Sequence, residues 1–228
     1  MTVVALVPAA GRGERLGMAI PKALVPVRGV PLLTHAVRGL LVSTRVDSVV
    51  VAAPPELVDE FAAVVREFAD RCRVVPGGAD RTASVRLALE SVVAGSCDIV
   101  LVHDAARAFT PAAVISAVVD AVRSGVAAVV PVLPVSDTVK VVDADGVITA
   151  TQDRCALRAI QTPQGFREAV LRAAYGAGFD AATDDAGLVE QLGGTVHTVP
   201  GHQHAMKITT AFDLLVAEAI LAEQEGTE

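Results

Sequence analysis

The segment Pro8-Ala9-Ala10-Gly11-Arg12-Gly13-Glu14-Arg15-Leu16-Gly17, closed by Pro21-Lys22, holds the residues best suited to chemistry. Tiny residues and glycines let backbone N–H groups come close to phosphate oxygens. Arg15 and Lys22 then place positive charge where a triphosphate would lie. Two commoner phosphate motifs do not fit. A P-loop needs Lys-Ser/Thr directly after its glycines, and neither is present. A dinucleotide fingerprint needs G-x-G-x-x-G, but Gly11, Gly13 and Gly17 are spaced one residue too far, and Ala52-Ala53-Pro54 offers no ribose-binding acid. A lone G-x-G would favour a plain strand-to-helix turn by about two to one. Arg15 together with Pro21-Lys22 tips the reading to a phosphate loop of another kind.

Further candidates lie downstream. Asp104 follows the apolar run Ile99–Val102, where an open α/β sheet places its ligands. One carboxylate plus phosphate oxygens suits Mg²⁺, which keeps several waters. Taken alone, His103-Asp104 is equally a helix or loop cap. His103 has no zinc-type partner spacing and reads as structural. His202 and His204 look like a metal pair, but without a further ligand cluster a solvated loop is the better reading. Lys207 sits in the mostly apolar stretch Ala205-Met206-Lys207-Ile208-Thr209, an unusual place for a merely solvated lysine.

The chain has 228 residues, which suits one α/β domain over 1–228, and it is 52% hydrophobic and 20% charged, enough for a sizeable core. A net charge of −7 with no basic run argues against nucleic-acid binding. A small anion needs only a local cluster of cations and is not excluded. The 3 cysteines, Cys72, Cys97 and Cys155, have no metal-type spacing and form no even disulfide set. Mean hydropathy is +0.51, but the apolar residues come in short runs broken by Pro and Gly. Neither a signal peptide, a membrane span nor a fused downstream enzyme is expected, and a cytoplasmic enzyme fits best.

Val3–Val7, Ser48–Ala52, Ile99–Val102 and Ala127–Val132 read as buried strands of a parallel sheet. Helical stripes lie between them. Leu32, Leu33, Ala36, Val37, Leu40 and Leu41 form one; Leu57, Phe61, Val64, Val65 and Phe68 another; Val85, Ala88, Leu89 and Val92 a third. Thr110-Pro111 signals a helix start with a hydroxyl cap, Gly125 its end, and Thr210 with Asp213 a capping box opening the last helix. This order predicts a doubly wound, mostly parallel Rossmann-like sheet. Thr138–Val142 and Val147–Thr151 flank Asp143-Ala144-Asp145-Gly146, a hairpin signal that predicts a β-arm over 135–156 projecting from the body.

The Pro-Ala-Ala-Gly-x-Gly-x-Arg…Pro-Lys pattern resembles that of sugar-phosphate nucleotidyltransferases. Further segments narrow it: Gly77-Gly78-Ala79-Asp80-Arg81-Thr82-Ala83-Ser84-Val85, Val102-His103-Asp104-Ala105-Ala106-Arg107, Asp137-Thr138-Val139-Lys140 and Gln161-Thr162-Pro163-Gln164-Gly165-Phe166. With Thr183-Asp184-Asp185 and Met206-Lys207-Ile208-Thr209, they resemble the 2-C-methyl-D-erythritol 4-phosphate cytidylyltransferase family across nearly the whole chain. The chain departs from the commonest pattern at Ala79-Asp80, Asp185 and Gly187. The resemblance implies a nucleotidyltransferase-type fold, a homodimer formed through the β-arm, and transfer of CMP from CTP to a polyol phosphate in the non-mevalonate isoprenoid pathway. It implies catalytic roles for Arg15, Lys22 and Lys207. Pro8, Ala9, Ala10, Gly11, Gly13, Gly77, Gly78, Ala79, Arg81 and Ser84 would bind the nucleotide. Backbone groups of Gly77–Ala79 and Ser84 would read cytosine. Asp104, Arg107, Thr138, Arg154, Thr162 and Thr183 would hold the acceptor, with Asp104 also on Mg²⁺. By themselves, Thr138 and Thr162 would more often be strand or cap residues. A cytidylyltransferase for ribitol 5-phosphate and a non-catalytic nucleotide sensor are the alternatives.

Overall fold

The structure is a computed structural model that describes residues 1–11, 20–178 and 183–225. Gly13 and Arg15 lie outside the described residues.

The centre is β1 (Val3–Pro8). A two-stranded ribbon of β2 (Pro26–Val27) and β3 (Val30–Pro31) stands apart from the main sheet. β4 (Ser48–Ala53) and β6 (Ile99–Val102) flank β1 in parallel, and β5 (Cys72–Pro76) continues the sheet beyond β4. On the other side, β11 (Gln164–Arg167) runs antiparallel between β6 and β7 (Ala128–Pro134). β10 (Arg158–Ile160) pairs with the far half of β7, and β12 (Val196–Pro200) runs parallel to β7. The sheet is mostly parallel, as the sequence predicts, with β10 and β11 as its antiparallel insertion.

Period-two alternation sorts the side chains of β1 into two layers. Val3, Ala5 and Val7 pack under α1 (Leu32–Val42), α2 (Val58–Val64) and α4 (Ala112–Arg123). Val4 and Leu6 pack under α3 (Arg81–Glu90), α5 (Glu168–Gly176) and α6 (Asp185–Gln191). The apolar character of β1 thus reflects burial on both faces. A third cluster joins Val25, Val27, Leu32, Ala108, Phe109 and Ile208 to Ala217 and Ile220 of α7 (Ala211–Glu225).

Two expected helices differ in detail. The Leu57–Phe68 stripe is not one helix, because 3₁₀ turns at Pro55–Leu57 and Arg66–Phe68 bracket the short α2. The break falls at Val65 (φ −115°, ψ 13°), in a β-branched pair with low helix propensity. Thr110 does not cap α4. Its hydroxyl donates to the Arg107 carbonyl at 3.0 Å, and Pro111 occupies the cap position without a side-chain bond. The capping box of α7 does form: Asp213 Oδ2 accepts from Thr210 N–H at 2.8 Å, and Thr210 Oγ1 accepts from Asp213 N–H at 3.2 Å.

The hairpin is β8 (Lys140–Val142) with β9 (Ile148–Thr151), which among the described residues pair only with each other. Asp143 Oδ1 accepts from the N–H groups of Asp145 and Val147, and Gly146 takes φ +82°, which glycine adopts without strain. Val142 and Ile148 remain 55% and 59% exposed.

Candidate functional site

A cleft opens at the carboxyl ends of β1 and β6, where an open α/β sheet presents its loops. Pro8, Ala9, Ala10 and Gly11 form one wall, Gly78, Ala79, Arg81 and Ser84 a second, and Lys22, Asp104 and Lys207 bring charge between them. The structure therefore gathers into one cavity residues that span most of the chain.

Each wall is fixed locally. The Ala9 N–H donates to Ala52 O at 2.8 Å, tying the start of the loop to β4. Gly77 lies against the same loop: a Cβ there would stand 3.0 Å from both Ala10 Cβ and Ser84 Oγ. A Cβ on Gly78 would collide with Ala83. Gly78 therefore needs glycine for close packing, and Gly77 is tightly enclosed. Ser84 Oγ accepts from Gly78 N–H at 3.1 Å and donates to Asp80 O at 2.7 Å, while Asp80 caps α3 through Ala83 N–H. The Ser84 hydroxyl thus shapes the glycine turn, and the backbone of that turn faces the cleft.

Lys22 begins a 3₁₀ turn, Lys22–Leu24, anchored by the buried Ala23 and Leu24. The segment that carries Lys207 is tied down on both sides of it. Ile208 N–H donates to Ala106 O at 2.9 Å, Arg107 Nη1 to Ala205 O at 2.7 Å, and the buried Gln161 Nε2 to His202 O at 2.9 Å.

Asp104 is the electrostatic centre. Its backbone N–H donates to Thr162 Oγ1 at 3.0 Å. Lys207 Nζ lies 2.8 Å from Oδ2, and Arg81 Nε lies 3.2 Å from Oδ1. Burial opposes the ionised carboxylate, but Arg81, Lys207 and Arg107 outweigh it and hold its pKa well below the usual range. Burial likewise opposes charge on Arg81, and the carboxylates of Asp185 and Asp104 more than restore it, raising its pKa. His103 is pushed down to about 4, chiefly by burial, so its ring is neutral near pH 7. Its Nδ1 lies 3.0 Å from Thr162 Oγ1, consistent with the structural reading of His103.

Other candidates stand outside the cleft. Arg107 does not line it: Nη1 and Nη2 donate to Ala205 O and Ile160 O, and Nε lies 3.8 Å from Asp104. Thr162 is buried behind Asp104. Both position the site from behind. Thr138 and Arg154 lie on the arm, where Arg154 Nη1 donates to Ser136 O at 2.6 Å. Thr183 is exposed just before α6. His202 Nδ1 accepts from His204 N–H at 3.1 Å, a turn-capping role that matches the loop reading. Among the described residues, no group of three or more His, Cys, Asp or Glu could hold a metal, and no helix is long and apolar enough to cross a membrane.

Asp80, Gln161 and Asp185 appear in the sequence only as members of motifs, without a role of their own, and Tyr175 carries no signal there. Asp80 carried the one local signal, an acid at a helix start three residues before Ala83.

The family model for 2-C-methyl-D-erythritol 4-phosphate cytidylyltransferase (IspD) matches residues 3–223. A curated relative of that name from Saccharopolyspora erythraea is 62% identical over 224 residues, covering 97% of this chain and 100% of the relative. Another, from Nocardia farcinica, is 56% identical over 220 residues, 96% of this chain and 94% of the relative. The crystal structure of 2-C-methyl-D-erythritol 4-phosphate cytidylyltransferase from Thermus thermophilus is 37% identical with a TM-score of 0.76, covering 96% of this chain and 98% of that one. The 4-diphosphocytidyl-2C-methyl-D-erythritol synthase of Anaerococcus prevotii is 26% identical with a TM-score of 0.84, covering 97% and 98%.

Proposed function

Since the chain belongs to the 2-C-methyl-D-erythritol 4-phosphate cytidylyltransferase family, we propose that it transfers CMP from CTP to 2-C-methyl-D-erythritol 4-phosphate in the non-mevalonate isoprenoid pathway. The observation that carries this reading is the cleft itself, in which two glycine-shaped backbone walls face Lys22 and Lys207. An acceptor phosphate oxygen attacks the α-phosphorus of CTP, a new P–O bond forms, and the bond to pyrophosphate breaks. Both reactants are anions, so fixed positive charge and alignment are what the protein supplies. Lys22 and Lys207 provide that charge from opposite ends of the sequence, and Arg15 adds to it. A cytoplasmic location suits such substrates.

Mg²⁺ fits the site. Asp104 offers a carboxylate held ionised at the cleft, and a magnesium ion takes one or two carboxylates with its remaining ligands from phosphate and water. When bound, the ion would neutralise triphosphate charge. Asp104→Asn should weaken the response of turnover to added Mg²⁺, measured as the metal concentration giving half-maximal rate. Full activity in excess chelator would remove Mg²⁺ from the reaction.

The direct test is pyrophosphate release. CTP with 2-C-methyl-D-erythritol 4-phosphate should give rapid release, and ribitol 5-phosphate a much slower one. UTP should be a poor donor, because a backbone carbonyl of the Gly77–Ala79 turn can accept from the cytosine amino group and faces the uracil oxygen unfavourably. Equal specificity constants for CTP and UTP would reject the cytosine-reading role. No release with any acceptor would leave the non-catalytic reading.

The family resemblance and the exposed arm together support a homodimer. A lone two-stranded hairpin is marginally stable, and Val142, Val147 and Ile148 are each more than half exposed. Packing these residues on a partner would bury them and carry Thr138 and Arg154 toward its cleft.

A further inference from the structure

Asp185 is fully buried, at 0% exposure, and does not line the cleft, yet it is bound to a residue that does. Its position is set by the start of α6. Asp184 caps that helix through Gly187 N–H at 2.9 Å. Gln164 of β11 clamps the same turn, donating to Asp184 Oδ2 at 2.7 Å and accepting from Ala186 N–H at 3.0 Å. With the turn locked to the sheet, Asp185 points inward. Its Oδ2 meets Arg81 Nη2 at 2.7 Å, and its Oδ1 accepts from the Tyr175 hydroxyl at 2.5 Å. Burial and the Asp185 charge push the Tyr175 pKa up, so the hydroxyl remains a donor.

The geometry at Arg81 gives this contact its consequence. Nε and Nη2 share one edge of the guanidinium, the edge that commonly grips a single carboxylate with two parallel bonds. Here the edge is divided: Nη2 goes to Asp185, and Nε reaches Asp104 Oδ1 at 3.2 Å. Asp104 Oδ2 keeps Lys207 at 2.8 Å. Without Asp185, Nη2 is freed to join Nε on Asp104, in competition with Lys207.

We propose that Asp185 is a positioning residue: by holding Arg81 from behind, it prevents a two-pronged grip on Asp104 and so keeps Lys207 on that carboxylate and in its place in the cleft. Its bearing on turnover rests on the cleft being the CTP site; its bearing on Lys207 does not. A plain structural ion pair between α3 and α6 would affect stability without moving Lys207.

The test compares Asp185→Asn and Asp185→Glu with the parent protein in three measurements. These are the thermal midpoint, kcat/KM for CTP, and the rate at which acetic anhydride acetylates Lys207 in the absence of nucleotide, read by peptide mass spectrometry. Lys207 is 42% exposed in its side chain and accessible to the reagent. In folded Asp185→Asn, Lys207 should label about 2–10-fold faster, the effect of losing one hydrogen-bonded hold. Its kcat/KM should fall about 10–100-fold, as is usual when a group that orients a ligand side chain is removed. Asp185→Glu, which keeps the charge, should restore most of both. Parental Lys207 labelling, with turnover reduced only in step with the unfolded fraction, would overturn the proposal. Faster labelling with unchanged turnover would uphold the hold on Lys207 and count against the CTP reading of the cleft. If Asp185→Asn does not fold, Arg81→Gln, which has no two-pronged edge to compete for Asp104, should label at Lys207 at the parental rate or slower, and faster labelling there would overturn the proposal.

Discussion

Lys22→Ala should lower kcat about 10²–10³-fold while leaving the protein folded, the loss expected when one preorganised charge donor is removed from a transition state. The packing of that turn is carried by Ala23 and Leu24, at 4% and 8% exposure, and Lys22 itself is only half-buried at the cleft wall. Truncation therefore deletes charge and leaves the core in place. Pyrophosphate departure concentrates negative charge on the leaving group, so a lysine beside the triphosphate acts more strongly in the transition state than in the bound substrate. The defect should accordingly fall on kcat more than on KM. Arg15→Ala should behave similarly. Lys207→Ala should be at least as damaging, because it also strips Asp104 of its 2.8 Å partner. Steady-state kinetics beside a thermal melt decide the matter: near-normal kcat in a folded Lys22→Ala protein defeats the assignment.

What the sequence shows of this site follows from how local each feature is. The loop from Pro8 and the Gly77-Gly78 turn are legible because tiny residues in a row have few other uses, and the structure adds that Gly78 is also required by packing against Ala83 and that Gly77 sits tightly against Ala10. Lys22 is legible as the close of a motif. Arg107 and Thr162 carry motif signals too, but whether a side chain faces the cleft or the chain's own carbonyls depends on the folded surroundings. The Arg81–Asp185 pair joins residues 104 positions apart, so no spacing rule could find it. The fold divides in the same way. β1 and β6 announce themselves as unbroken aliphatic runs buried on both faces. β11, with the sequence Gln-Gly-Phe-Arg, has no such run, and it is a strand because β6 and β7 flank it. The arm is visible in Asp143–Gly146, since turn chemistry is local.

Mixing Lys22→Ala protein with Arg154→Ala protein, after subunit exchange, should restore about a quarter of parental activity from two preparations that are nearly inactive alone. Arg154 is exposed on the arm, bonded to Ser136 O, and neither it nor Thr138 lines the cleft of its own chain. Lys22 does line it. If the arm of each subunit delivers Arg154 to the other's cleft, a mixed dimer has one site carrying both lesions and one carrying neither. Random exchange makes about half of the dimers mixed, and each has one intact site of two, which gives about one quarter overall. If Arg154 instead serves its own subunit, every site in every dimer retains one lesion and mixing restores nothing. The two arrangements thus differ in kind, and the readout needs no knowledge of how severe either single substitution is beyond its being inactivating. Exchange is verified by native mass spectrometry of differently tagged chains. Confirmed mixed dimers without recovered activity would rule out the shared acceptor site.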